Sequence, residues 1–197
     1  MAFETGERLM HEGEPGDKVA LILSGRVKVS HVGTDGREQV LDFRGPGELV
    51  GELAAVDQAP RSSSVTAIEP VEAQVVSALD FRALLDRPEF AAELLRRLSQ
   101  RFRDADRKRI EFGATDTVGR VAARLVELAE RYGEPDGGGV AIALPINQEE
   151  LAGWTAASRA SMANALQTLR ELGWIETGRR RIKVLDVEAL RRRSVQN

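Results

Sequence analysis

From Val19 to about Leu79 the apolar positions come in short bursts separated by Gly, Pro and Asp: VALILSG, RVKVSHVG, VLDF, SSVTAIE and AQVVSA. Val27 and Val29, and again Val65 and Ala67, follow the two-residue period of a strand with one buried face. The turn Thr34-Asp35-Gly36-Arg37 contains Asp-Gly, a hairpin signal because Gly takes positive φ at little steric cost. Several strands at this spacing predict a small antiparallel barrel, roll or sandwich.

After Asp80 the period becomes helical. FRALLDR is followed by a stretch from about Pro88 to Phe112 without Gly or Pro after its first turn. Ala91, Leu95, Leu98, Phe102, Ala105, Arg109 and Phe112 recur at alternating four- and three-residue steps, an a/d seam over three heptads. A parallel dimer is one consequence, and packing of the stripe on the chain's own β domain is another. Arg109 is a polar exception suited to setting register or partner choice. A second helix is expected from about Asp116 to Tyr132, with Val118, Val121, Ala122, Leu125, Leu128 and Ala129 on one face and Gly133 suited to the C′ position. Glu134 to Gly139 reads as a loop and Val140 to Leu144 as a short strand.

Asn147 to Ile175 divides into two capped helices joined by a tight turn. Asn147, with Glu150 three residues on, makes a pair like a capping box. Ser158 caps the second helix, expected from Arg159 to about Leu172 with a stop at Gly173. Met162, Ala165, Leu166 and Leu169 form its apolar stripe, leaving Arg159, Ala160, Ala163, Asn164 and Gln167 outward. When such a helix docks in a major groove its early residues meet base edges, where Arg suits guanine and Asn suits adenine. Gln148, Ser158 and Ser161 complete this candidate DNA set. Trp174 to Val184 reads as a β-hairpin, a wing whose tip carries Arg179, Arg180 and Arg181. Taken alone, these arginines fit a solvated turn; directly after a helix-turn-helix they suit phosphate contacts.

Charge sharpens this division. The chain has 197 residues and a net charge of −3, which alone argues weakly against a nucleic-acid partner. Leu144 to Asn197 nevertheless holds nine basic residues against six acidic ones, leaving nineteen against twenty-five before it. The basic excess thus falls in the part expected to face DNA. Cysteine is absent, which removes disulfides, iron–sulfur clusters, thiolate zinc sites and a cysteine nucleophile from this chain. His11 and His31, expected on the surface, have no metal-ligand spacing, so no metal is expected. No apolar run approaches the roughly 20 residues that span a bilayer, and the charged start does not resemble a signal peptide. A cytoplasmic protein without a membrane partner is the default expectation.

Two motifs carry a family resemblance. Gly51-Glu52-Leu53, followed by Asp57-Gln58-Ala59-Pro60-Arg61-Ser62-Ser63, resembles a phosphate-binding cassette. Gln148-Glu149-Glu150-Leu151-Ala152 with Ala157-Ser158-Arg159 resembles a helix-turn-helix signature. In this order, with the seam helix between them, they resemble the cyclic-AMP receptor protein/Fnr (Crp/Fnr) family of bacterial transcription regulators over essentially the full chain. The resemblance implies an α+β architecture: a cyclic-nucleotide-binding-type β-roll (jelly roll) over 1–87, a long dimerisation helix over 88–113 and a winged helix-turn-helix over 114–197. It implies a non-enzymatic homodimer that binds pseudo-palindromic double-stranded DNA, with RNA polymerase as a further partner if it activates.

By resemblance, Arg61 and Ser62 hold a cyclic phosphate, Glu52 accepts from the ribose 2′-hydroxyl, and Gly51 and Ser63 give backbone contacts, with Leu53 in the same cassette. Cyclic AMP or another cyclic nucleotide is the implied effector. A bland alternative is that Arg61 and Glu52 are an ion pair that steadies the roll. Members that respond to cyclic AMP supply a Thr from the seam helix, followed by a Ser from the partner subunit, to the purine; Ala105 and Asp106 stand at those positions here, and Asp106 would either accept from an exocyclic amine or introduce repulsion. Ala160 and Asn164 likewise replace a typical Glu and Arg, so the operator is expected to differ from a TGTGA-type half-site. The chain also begins close to its first strand, where many members carry a short helical lead. Two readings follow: DNA affinity modulated through the roll, or binding that is constitutive or governed by another ligand, with a vestigial pocket. Haem and cluster sensing find no ligands, a cupin-like enzyme would need a His/carboxylate metal set, and a regulatory subunit acting through protein contacts would not need the wing.

Overall fold

The computed structural model describes residues 1–34, 36, 38–142, 148–155, 157–178 and 181–195, without the side chains of 108, 111–114, 148 and 149. The chain divides into two units, Met1–Arg101 and Phe102–Asn197.

The first unit is built on two four-stranded antiparallel sheets. One contains β1 (Ala2–Phe3), β3 (Lys18–Ser24), β6 (Leu49–Val50) and β8 (Val71–Ser77) in the order β1-β8-β3-β6. The other contains β2 (Arg8–Met10), β4 (Val27–Val32), β5 (Glu38–Arg44) and β7 (Ser64–Ala67) in the order β2-β7-β4-β5. Both sheets contribute to one core of Phe3, Leu9, Met10, Ala20, Ile22, Val27, Val50, Val65, Ala67, Val71 and Ala73. The alternation of Val27 with Val29 and of Val65 with Ala67 does mark inward faces. The β4–β5 hairpin pairs Val32 with Glu38 around Gly36 at φ 75°, whereas Asp35 and Arg37 of the expected turn lie outside the described residues.

Between β6 and β7 a short helix, α1 (Glu52–Asp57), follows Gly51. The next helix, α2 (Ala78–Leu85), begins two residues before Asp80 because Ser77 caps it, its hydroxyl accepting from the Asp80 N–H at 3.0 Å. The long helix α3 (Pro88–Ala114) starts where the sequence places it. Phe90, Leu94 and Leu98 pack with Val19, Ala55, Ala78 and Phe81, whereas Leu95 is 66% exposed. Of the stripe, Leu98 packs against the roll's core, as the second of the two expected fates has it, while Leu95 faces outward and is left open to a partner.

In the second unit, Phe102 is 69% exposed and Ala105 and Arg109 are also exposed, while the Phe112 side chain lies outside the described residues. α4 (Thr117–Tyr132) is capped by Asp116, whose carboxylate accepts from the Gly119 N–H at 2.8 Å. Val121, Ala122, Leu125, Leu128 and Ala129 are buried as expected. Gly133 departs from expectation: it is extended, at φ −85°, and a Cβ there would lie 2.1 Å from the Ala129 carbonyl oxygen. Close approach, not left-handed geometry, is what demands glycine. Glu134 to Gly139 is likewise not simply a loop: β9 (Gly133–Asp136) pairs with β10 (Gly139–Ile142) across a Gly137-Gly138 turn. Residues 143–147, including the rest of the expected strand and the Asn147 cap, lie outside the described residues.

α5 (Gln148–Trp154) and α6 (Arg159–Glu171) are the two helices read from the sequence, and Gly173 follows at φ 72°. The Arg124 guanidinium, buried in α4, stacks over the Trp154 ring at 5.6 Å and so fixes the end of α5. β11 (Ile175–Gly178) and β12 (Arg181–Val184) form the wing hairpin, in a sheet ordered β11-β12-β10-β9. Arg179 and Arg180, the two other arginines of the wing tip, lie outside the described residues. A last helix, α7 (Val187–Ser194), packs on α4 and is capped by Asp186.

Candidate nucleotide pocket and nucleic-acid interface

The cassette is organised around Gly51, which takes φ 81° as the cap of α1. A Cβ at this position would lie 2.7 Å from Arg61 Nη1 and 2.5 Å from Met10 Sδ, so the guanidinium rests against bare backbone. Arg61 is buried. Its Nη2 donates to Asp17 Oδ1 at 3.0 Å and to the Lys18 carbonyl at 2.9 Å, and its Nη1 to Met10 Sδ at 3.2 Å. A thioether is a weak acceptor, so the fork keeps capacity for an anion.

Glu52, also buried, accepts from Arg101 Nη1, and Arg101 Nη2 donates to the Leu49 carbonyl at 3.0 Å. The possibility that Arg61 and Glu52 form an ion pair with each other is thereby corrected: each has its own partner, Asp17 and Arg101. Leu53 is 52% exposed, Ser62 is exposed and Ser63 is half-buried. Ala105 and Asp106 belong to the second unit, the first exposed and the second half-buried.

In the second unit the Ser158 hydroxyl accepts from the Ser161 N–H at 3.0 Å and sits 2.9 Å from the Ser161 hydroxyl, the capping expected of it. Met162, Ala165, Leu166 and Leu169 are buried, and Arg159, Ala160, Ala163, Asn164 and Gln167 are exposed. Gln167 donates to Glu171 at 2.8 Å. Arg170 donates to the Thr177 hydroxyl at 2.8 Å, tying α6 to the wing. Arg181 pairs with Asp136 of β9, so one wing arginine is partly neutralised at rest. The Gln148 side chain lies outside the described residues.

Arg120 links the start of α4 to the helix-turn-helix. It donates to the Thr115 carbonyl at 2.9 Å, to the Thr117 hydroxyl at 3.1 Å and to the Thr155 carbonyl, just before the turn, at 3.2 Å. Arg193 of α7 reaches Asp116 at 2.5 Å. Burial raises the Asp116 carboxyl, but the Gly119 N–H and the Arg193 and Arg120 charges outweigh it and hold the group below the ordinary carboxylate value.

Residues 1–88 match the cyclic nucleotide-binding domain and residues 119–193 match the Crp-like helix-turn-helix domain. A CRP-like cAMP-activated global transcriptional regulator from Mycobacterium tuberculosis (strain CDC 1551 / Oshkosh) is 38% identical over 193 residues, covering 98% of this chain and 86% of that protein. The chain belongs to the Crp/Fnr family.

A cyclic AMP receptor protein from Thermus thermophilus is 29% identical over 189 residues, 95% of this chain and 84% of that one. A crystal structure of a CRP-family transcriptional regulator, also from Thermus thermophilus, superposes with a TM-score of 0.84 at 26% identity, covering 98% of this chain and 96% of the other. The Crp/Fnr assignment gathers the two motifs into the two matched stretches. Asp17, Arg101 and Asp136, and the bond of Arg120 to the Thr155 carbonyl, had no signal in the sequence, because those partners meet only through folding. Among the described residues, no helix is long and apolar enough to cross a membrane and no group of three or more His, Cys, Asp or Glu could hold a metal ion.

Proposed function

We propose that this Crp/Fnr chain acts by binding, not by catalysis, as a homodimeric regulator that grips a pseudo-palindromic operator with α6 and its wing. A cyclic nucleotide, cyclic AMP in the first instance, sets its affinity from the roll. The observation that carries the effector half is the buried Arg61 guanidinium laid against bare Gly51 backbone, with a sulfur among its acceptors. That cradle suits a phosphate. Arg61 and Ser62 would hold it, Gly51 and Ser63 would add backbone contacts beside Leu53, and Glu52 would accept from the ribose. The bound nucleotide would supply charge and a purine face, and the chain's own residues would do the coupling. Residues 1–87, 88–113 and 114–197 divide this work into sensing, pairing and DNA contact.

Pairing through the outward face of α3 would present two copies of α6 about one helical turn, roughly 34 Å, apart. To swing such a dimer from 1:99 to 99:1 the effector must favour one state by about 5.5 kcal/mol. Arg159 would take a guanine, Gln148, Ser158, Ser161 and Gln167 would help to set register, and Arg179, Arg180 and Arg181 would meet phosphates. RNA polymerase is the further partner if the chain activates, and the cytoplasm is its expected place.

A second reading is favoured by Ala105 and Asp106, which stand where nucleotide-responsive relatives carry a Thr and a Ser. In it, DNA binding is constitutive or answers another ligand. Gel shifts on a selected operator separate the two. A complex that tightens tenfold or more with cyclic AMP supports modulation, and equal affinity with and without nucleotide supports the second reading.

A further inference from the structure

Ala160, Ala163, Asn164 and Gln167 follow the i, i+3, i+4, i+7 spacing of one helix stripe, and all four are exposed. Two are methyl groups and two are amides. Charge appears only at the ends of the helix, at Arg159 and at Arg170 and Glu171. The two amides are not equivalent. Gln167 is engaged by Glu171 at 2.8 Å, whereas the Asn164 side-chain amide makes no hydrogen bond among the described residues. The Thr168 hydroxyl donates to the Asn164 main-chain carbonyl at 3.1 Å and leaves that amide alone.

The chemistry of base edges turns this stripe into a preference. Guanine offers two acceptors that suit a cation, and the cytosine amine suits a carboxylate; the stripe between Ala160 and Gln167 has neither. Adenine pairs an acceptor with a donor in the pattern of an amide, and thymine presents a methyl group that suits alanine. Small side chains at Ala160 and Ala163 also let the helix approach the groove floor closely. Resting on the DNA-binding reading above, we propose that the centre of each half-site is A·T. Thymine methyls lie against Ala160 and Ala163, adenine lies on the Asn164 amide, and a single flanking G·C pair is read by Arg159.

The test begins with selection of bound sequences from a random duplex pool by the full-length protein, with and without cyclic AMP. The selected half-site is then altered atom by atom. Thymine to uracil deletes only the methyl and is expected to weaken binding about fourfold at one or two central positions. Replacing adenine by 7-deazaadenine deletes the N7 acceptor and is expected to cost roughly five- to 150-fold for the wild type. It should cost nothing further for Asn164→Ala, a surface change that leaves the buried stripe intact. A reproducible half-site with G·C at its centre, or one indifferent to the missing methyls, overturns the base assignment while leaving DNA recognition by α6 in place. Failure to enrich any sequence under either condition overturns the underlying reading itself.

Discussion

The carboxylate of Asp17 lies 3.0 Å from the guanidinium of Arg61, the first 72% exposed and the second 3% exposed at the side chain. A buried cation thus meets its carboxylate partner where that partner faces water. Most of what holds Arg61 is therefore the Lys18 carbonyl, the Met10 sulfur and the shape of the Gly51 backbone. Arg61→Ala is expected to abolish the heat of cyclic AMP binding in isothermal titration, and equal heats from both proteins would remove Arg61 from the pocket.

Gly51→Ala examines the same cradle from the other side. The left-handed backbone at φ 81° costs an alanine about 1–2 kcal/mol, and its Cβ would press on Arg61 and Met10. Chemical denaturation should show a loss of at least that size, accompanied by weaker nucleotide binding. An unchanged midpoint would mean that the cradle is not filled as described.

The two faces of α3 should separate cleanly by mutation. Leu95 and Phe102 are 66% and 69% exposed, whereas Leu94 is 7% exposed in the core shared by α1, α2 and β3. Leu95→Glu with Phe102→Glu is expected to shift the sedimenting species from dimer to monomer with little change in thermal midpoint of the roll. Leu94→Ala should instead cost about 2–5 kcal/mol of fold stability. A dimer that survives the double change would place the interface elsewhere.

Asp116 gives a pH dependence of known sign. Its folded value lies below the ordinary 3.8 despite the opposing effect of burial, because Gly119, Arg193 and Arg120 favour the anion. The stabilisation is therefore fully present above the ordinary value and is lost as pH falls through the lowered one. Asp116→Asn keeps the cap but not the charge. Its deficit against wild type in denaturation should be clear at about pH 6 and should shrink on acidification below about pH 4. A deficit that is constant with pH would show that the Arg193 pair contributes nothing.

Features set by neighbours in the chain could be read from the sequence. Ser158 caps α6 three residues from its donor, and the period of Met162, Ala165, Leu166 and Leu169 marks the buried stripe. Features set by tertiary contact could not. β1 and β2 are two and three residues long, too short to show a period, although Phe3, Leu9 and Met10 enter the core. Gly133 looked like a helix terminator because glycine has two uses, and only the Ala129 carbonyl beside it reveals which one applies. In the pocket, Arg61 and Glu52 were found by motif, but Asp17 and Arg101 lie 44 and 49 residues from them along the chain.

In the proposed complex, two copies of α6 probe successive turns of one duplex. Footprinting of the full-length protein on its selected operator, with stoichiometry measured on the same complex, tests it most directly. Two protected half-sites centred about 10 base pairs apart are expected, with two chains per duplex and loss of both footprints with Arg159→Ala. One chain on a single protected patch, or a footprint untouched by that substitution, would contradict it.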